Sequence, residues 1–134
     1  MDTFIEQYIA LIQQKQERQK NISGLSLGEP KHRLQGLLNE VQEVDEELKL
    51  QNQIYLEDEL GDIFWNYMNF LTLLETQGYI SDTQTILQKS YDKFHERTSA
   101  VIDKTDKSSS DLARDEVKKI QKERLEDQHN KLYN

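Results

Sequence analysis

The stretch LEDELGDIFWNYMNF, residues 56–70, joins a group of acidic residues directly to the most apolar run of the chain. On a helix that advances about 100° per residue, Glu59 and Asp62 fall at the border of the apolar stripe. Acidic residues that serve only solubility usually lie on the face opposite the core. The placement of these two carboxylates at the edge of a buried surface therefore predicts a function for them.

Composition limits what the protein can be. A chain of 134 residues suits one domain, and its 25 acidic against 17 basic residues give a net charge of −8. This charge opposes nonspecific binding to nucleic acid or to an anionic membrane. There is no cysteine, which excludes disulfides and thiol chemistry. Because no apolar run approaches the roughly 20 residues of a membrane span, and the N-terminus lacks signal-peptide features, we expect a soluble, cytoplasmic protein.

Hydrophobic periodicity and the single proline predict an all-α fold. Helices are expected at about 2–20, 31–50 and 54–76, with Gly78 as the cap of the third, and from a capping box at Ser81 and Gln84 to about 98–102. The loop NISGLSLGEP occupies 21–30, and residues 103–111 read as a polar linker. We expect a helical-bundle domain over residues 1–102, followed over 103–134 by a linker and a helical tail too polar to build its own core.

A second acidic pair strengthens the interpretation of the first. Glu40 and Glu43 border the apolar stripe of the second helix in the same way. If the second and third helices form an antiparallel hairpin centred on Gln51, Glu40 lies opposite Asp62 and Glu43 lies opposite Glu59. Carboxylates gathered in this way repel one another unless cations compensate them, and a hard divalent ion such as Mg²⁺ is the natural compensation. The alternative is that both pairs are solvated surface residues.

The pattern of Glu40-x-x-Glu43 followed by Glu59-Leu-Gly-Asp62 resembles the E-x-x-E and E-x-x-D signature of the MazG nucleotide pyrophosphohydrolases. The resemblance extends over about residues 34–102, through LEDELGDIFWNYMNFLTLLETQGYISD to QKSYDKFHERTSAV. It implies hydrolysis of a nucleoside triphosphate to the monophosphate and diphosphate, with Mg²⁺ as cofactor and Mn²⁺ as a possible substitute. It also implies a homodimer or a dimer of dimers.

The resemblance further implies roles for individual residues. Glu40, Glu43, Glu59 and Asp62 would form the catalytic metal site. Lys93 and Arg97, at i and i+4 on the fourth helix, are candidates for phosphate contacts, and Asn66 for a substrate contact; a surface face is the alternative for the two basic residues.

Several positions depart from the family pattern. Asn39 replaces a frequent glutamate, and TSAVI replaces a segment that usually contains histidine and proline. These differences leave base preference open, so a dCTP, dUTP or phosphoribosyl-ATP pyrophosphatase remains an alternative. A noncatalytic helical interaction module is the alternative from another functional class.

Overall fold

The computed structural model describes residues 3–22 and 28–134. Within these ranges the regular structure is entirely helical, which confirms the all-α prediction. The helices are α1 (Phe4–Lys20), α2 (Pro30–Glu47), α3 (Gln53–Thr76), α4 (Thr83–Val101) and α5 (Lys107–Tyr133). Part of the predicted loop at 21–30 lies outside the described residues, at positions 23–27. Among the described residues, no helix combines the length and the apolar character that a membrane span requires.

The helices belong to two compact units. The first extends to Thr83 and contains α1, α2 and α3, whereas the second begins at Gln84 and contains α5 and all but the first residue of α4. The boundary between these units at residues 83 and 84 differs from the predicted end of the functional domain at residue 102, which stays a prediction.

The core of the first unit lies between α1 and the C-terminal half of α3, which pack against each other. Ile9 and Ile12 of α1 are buried, as are Met68, Leu71 and Leu73 of α3. The spacing of the buried α1 residues agrees with the helical periodicity of its sequence.

Polar and aromatic contacts also connect α1 to α3. The Lys15 ammonium donates a hydrogen bond of 2.7 Å to Oδ1 of the buried Asn69. The same ammonium lies 5.4 Å from the ring centroid of Trp65, and the Tyr8 ring meets Trp65 edge-on at 5.8 Å. These contacts orient the N-terminal helix on the surface of α3.

The connection from α2 to α3 is short and ordered by specific contacts. Helix α2 ends at Glu47, earlier than the predicted Leu50, and Asn52 is the N-cap of α3. The Asn52 amide donates to the Glu47 carbonyl at 2.8 Å and to its carboxylate at 2.7 Å. Gln51 adopts a left-handed backbone conformation, with φ of 59°. The predicted turn around Gln51 is therefore confirmed.

The end of α3 confirms the predicted role of Gly78. This glycine has a φ of 83°, which L side chains rarely adopt. Its amide donates to the Glu75 carbonyl at 3.2 Å, and the amide of Tyr79 donates to the Leu74 carbonyl at 2.9 Å. This is the Schellman pattern, which satisfies the last carbonyls of a helix.

The apolar stripe of α2 is more exposed than the sequence predicted. Helix α2 contacts α3, yet none of its residues is fully buried, and Leu38 and Val41 are 52% and 48% exposed. The sequence predicted that this stripe is buried. Two adjacent helices cover only part of a stripe this wide, so much of it remains on the surface of the single chain.

The C-terminal region contains two corrections. Residues 107–111, predicted as linker, form the first turn of α5, because the Asp106 carboxylate caps the helix by accepting from the Ser109 amide at 2.8 Å. Helix α4 begins at Thr83, so Asp82 rather than Ser81 precedes its first residue.

We predict that Ile12→Ala lowers the free energy of unfolding of the first unit by about 2–4 kcal/mol, because it leaves a cavity in a fully buried position. Leu11→Ala is the matched control, since Leu11 is 52% exposed, and it should change stability by about 0.5 kcal/mol or less. Denaturant unfolding followed by the fluorescence of Trp65, the single tryptophan, measures both. Equal losses in the two variants would contradict this core.

Candidate active site

Carboxylates from α2 and α3 converge where the two helices pack. Oxygens of Glu40, Glu43 and Glu59 lie within 4.8 Å of one another, and oxygens of Asp58, Glu59 and Asp62 form a second group with the same limit. Glu59 belongs to both groups. We refer to these residues together as the carboxylate cluster.

Helical spacing and helix packing together produce the cluster. Glu40 and Glu43 are one turn apart on α2, and Glu59 and Asp62 are one turn apart on α3, so each pair shares a helix face. The contact between α2 and α3 then brings the pairs together. The structure thus brings Glu40 and Glu43 together with Glu59, and Asp62 is linked to them through Glu59.

Asp58 is the member that the sequence analysis missed. It is exposed, and it lies four residues before Asp62, a spacing that places both on one side of α3. That i, i+4 relation was a usable signal. That the carboxylate oxygens of Asp58, Glu59 and Asp62 converge became clear only from the structure.

Without a bound cation, the close carboxylates of the cluster disfavour one another's ionised forms. Burial, together with the interaction with Glu43 and the nearby negative charges, raises the pKa of Glu40 to about 7. Burial and the charges of Glu43 and Asp62 also raise the pKa of Glu59. Both shifts mean that the ionised forms of these groups are destabilised in the folded chain.

Two oxygens of the cluster lack partners altogether. The Oε2 atoms of Glu40 and Glu59 are shielded from solvent and accept no hydrogen bond. None of the salt bridges in the described ranges involves Glu40, Glu43, Glu59 or Asp62. Buried carboxylate oxygens without donors cost free energy, and a cation is the partner that would satisfy several of them at once.

The donor set suits a hard divalent cation. It consists of carboxylate oxygens alone, the ligands that Mg²⁺ prefers, whereas zinc sites usually include histidine or cysteine. Because Glu59 belongs to both groups of oxygens, its carboxylate could ligate a cation held by either group. The residues therefore fit a magnesium-type site.

Comparison with protein families identifies the fold. The model of the MazG nucleotide pyrophosphohydrolase domain matches residues 29–102, more than half of the chain. The chain belongs to the MazG family. The matched segment contains the whole carboxylate cluster and covers α2, α3 and α4. Comparison with curated proteins and with solved structures gives no significant match.

The remaining predicted site residues of the MazG domain have other surroundings. Asn66 lies one turn after Asp62, and its amide donates to the Asp62 backbone carbonyl at 2.8 Å. Lys93 and Arg97 belong to the second unit, on α4. Their cationic groups lie 5.5 Å and 5.3 Å from the ring centroid of Phe94. The substrate contacts expected of these residues stay predictions.

We predict that the metal-free MazG domain loses stability as the pH rises from 4.5 towards 7. The folded state binds the Glu40 proton more tightly than the unfolded state does, because the pKa rises from 4.5 to about 7 on folding. This contribution is fully present below the unfolded pKa and disappears as the pH passes the folded value.

Glu40→Gln should remove that contribution. Thermal melting in EDTA at a series of pH values should show the variant gaining stability relative to the parent chain as the pH rises. Glu46→Gln, an exposed residue of the same helix outside the cluster, is the control. Parallel pH curves for all three chains would count against the described electrostatics.

Proposed function

We propose that this MazG domain is a Mg²⁺-dependent nucleoside triphosphate pyrophosphohydrolase. The reaction would convert a (d)NTP and water to a (d)NMP and diphosphate. Membership of a nucleotide pyrophosphohydrolase family supports the reaction class. The observation that carries the proposal is the convergence of the Glu40, Glu43 and Glu59 oxygens within 4.8 Å, where no salt bridge of the described residues neutralises them.

The proposed mechanism assigns metal binding to Glu40, Glu43, Glu59 and Asp62. Bound Mg²⁺ would polarise the phosphate under attack and offset charge on the departing diphosphate. These carboxylates would hold the ion where α2 packs against α3, through the oxygens that converge there. A carboxylate of the cluster that is not engaged by metal accepts the proton of the attacking water.

The proposal includes contacts to the substrate. Lys93 and Arg97 would bind phosphate oxygens, for which ammonium and guanidinium groups are suited. The side-chain carbonyl of Asn66 would accept from the substrate while its amide remains bonded to the backbone. A narrower preference for dCTP, dUTP or phosphoribosyl-ATP uses the same carboxylates and is separated by the substrate panel below.

The proposal also includes the antiparallel α2–α3 hairpin and a homo-oligomer, either a dimer or a dimer of dimers. A connection of only a few residues between contacting helices supports the hairpin. Large apolar side chains left exposed on α2 and α3 support the oligomer, because a second copy would bury them. They include Leu34, Leu38, Val41, Leu60 and Phe64. A cytoplasmic location belongs to the same proposal.

We predict that incubation with individual NTPs and dNTPs and Mg²⁺ yields monophosphate and diphosphate. Glu59→Gln should lower kcat/KM by about 100-fold or more, because it removes a charge shared by both carboxylate groups. Glu46→Gln should leave activity within about twofold, as expected of a surface substitution. Chromatography of the nucleotide products, with a diphosphate assay, measures these values.

The Glu59→Gln variant should fold normally, since it relieves repulsion in the metal-free chain. Loss of activity would then report on the site rather than on unfolding. If no triphosphate is cleaved by the parent chain, or if Glu59→Gln is fully active, the proposed reaction is wrong.

We also predict that Mg²⁺ with a nonhydrolysable nucleotide analogue raises the melting temperature of the parent chain. Ligand at about 100 times its Kd should stabilise the folded state by about 2.7 kcal/mol. A noncatalytic helical module with solvated acids predicts no such shift. Differential scanning fluorimetry of the parent chain and Glu40→Gln, with and without both ligands, separates the two functions.

A further inference from the structure

A groove lined by basic residues lies between α4 and α5, within the second unit. Its volume is about 560 Å³, within the roughly 300–1,000 Å³ range that is typical of small-molecule sites. Its cationic side chains are Lys89, Lys93, Arg97, Lys118, Lys122 and Arg124. Its acidic side chains are Asp92 and Glu96. The groove is therefore strongly positive in a chain whose net charge is −8.

A hydrogen-bond network holds the two helices of the groove together. The Gln121 amide donates to the Lys93 carbonyl at 3.0 Å, and its oxygen accepts from Arg97 Nε at 2.9 Å. Arg124 bonds both oxygens of Glu96 at 3.1 Å. In this network Glu96 is the ion-pair partner of Arg124.

The remaining cations stand in rows along each helix. Lys89, Lys93 and Arg97 follow one another at four-residue spacing on α4, and Lys118 and Lys122 do so on α5. Within the part of the chain that the structure describes, none of these side chains forms a salt bridge. Like charges four residues apart on a helix destabilise it, and a bound anion would remove that repulsion.

We propose that this groove binds the di- or triphosphate chain of a small-molecule ligand, with Lys118 and Lys122 of α5 joining Lys93 and Arg97 of α4. A phosphate chain offers several anionic oxygens over a short length, which matches cationic rows on facing helices. Phe94 and Leu125 also line the groove, and both are more than half exposed. These apolar side chains can contact an organic portion of the ligand, such as a nucleobase.

This inference rests on the phosphate-binding role proposed for Lys93 and Arg97 and extends it to a second helix. Helix α5 lies outside the segment that matches the family, residues 29–102, so the family resemblance assigns no role to Lys118 or Lys122. A nucleic acid strand is the less favoured ligand. The groove is the size of a small-molecule site, and the negative charge of the whole chain opposes the extended backbone contacts that a strand requires.

The test is calorimetric titration of the full chain with inorganic tripolyphosphate, in EDTA to keep divalent ions from the carboxylates. The parent chain should bind, with an affinity that falls as salt screens the charges. Lys118→Ala/Lys122→Ala should weaken binding by about tenfold or more, because two charge-assisted contacts are lost. Lys119→Ala/Lys131→Ala removes the same charge from α5 outside the groove and should change the affinity by about twofold or less.

Parallel titrations identify the source of the phosphate chain. Tighter binding of ATP than of tripolyphosphate supports a nucleotide that also contacts Phe94, and weaker binding of ATP supports a phosphate chain without a base. Helicity measured by circular dichroism should be unchanged in both double variants, since alanine favours helix.

The inference is overturned if the parent chain does not bind tripolyphosphate at low salt, or if both double variants weaken binding equally. Tighter binding of a single-stranded oligonucleotide than of tripolyphosphate would overturn it in favour of nucleic acid. Triphosphate hydrolysis is measured separately with Mg²⁺. If the chain hydrolyses triphosphates but does not bind tripolyphosphate in EDTA, only this inference is wrong. If it binds tripolyphosphate in EDTA but hydrolyses no triphosphate, only the proposed reaction is wrong.

Discussion

The close approach of negatively charged carboxylates where α2 packs against α3 is the constraint on which the proposed function of this protein depends. Packing of α2 against α3 holds Glu40, Glu43 and Glu59 so close that burial and the neighbouring negative charges oppose the ionisation of Glu40 and Glu59. In the described chain, the Oε2 atoms of Glu40 and Glu59 have no hydrogen-bond partner that would offset that cost. Such an arrangement needs stabilisation from the rest of the unit, and its carboxylate oxygens are ligands that suit a hard divalent cation.

The stabilising part of the first unit is separate from the charged part. Buried apolar residues lie between α1 and the C-terminal half of α3, around Ile12 and Met68, whereas the carboxylates of α3 lie in its N-terminal half. Helix α2 contributes acids and a largely exposed apolar stripe. This separation allows the unfavourable charges to be held by a helix whose other end is firmly packed.

Local signals predicted the elements well where a single residue type decides the backbone. Gly78 ends α3 because its positive φ suits glycine, and the turn around Gln51 follows from polar residues between two periodic segments. The sequence expectation failed at residues 107–111, where polarity suggested a linker but an aspartate cap begins a helix. Polar composition is compatible with both outcomes, since a cap and an i, i+4 ion pair such as Lys107–Asp111 favour helix in a polar segment.

The sequence by itself determined which side chains can cooperate within one helix, because acids or bases at i, i+3 and i+4 share a face whatever the fold. It thereby predicted Glu40 with Glu43 and Glu59 with Asp62. Only the tertiary structure decided that Glu59 is common to two groups, that Asp58 joins one of them, and that the pKa of Glu40 rises to about 7. These properties depend on distances between helices and on loss of solvent, which spacing along the chain does not specify.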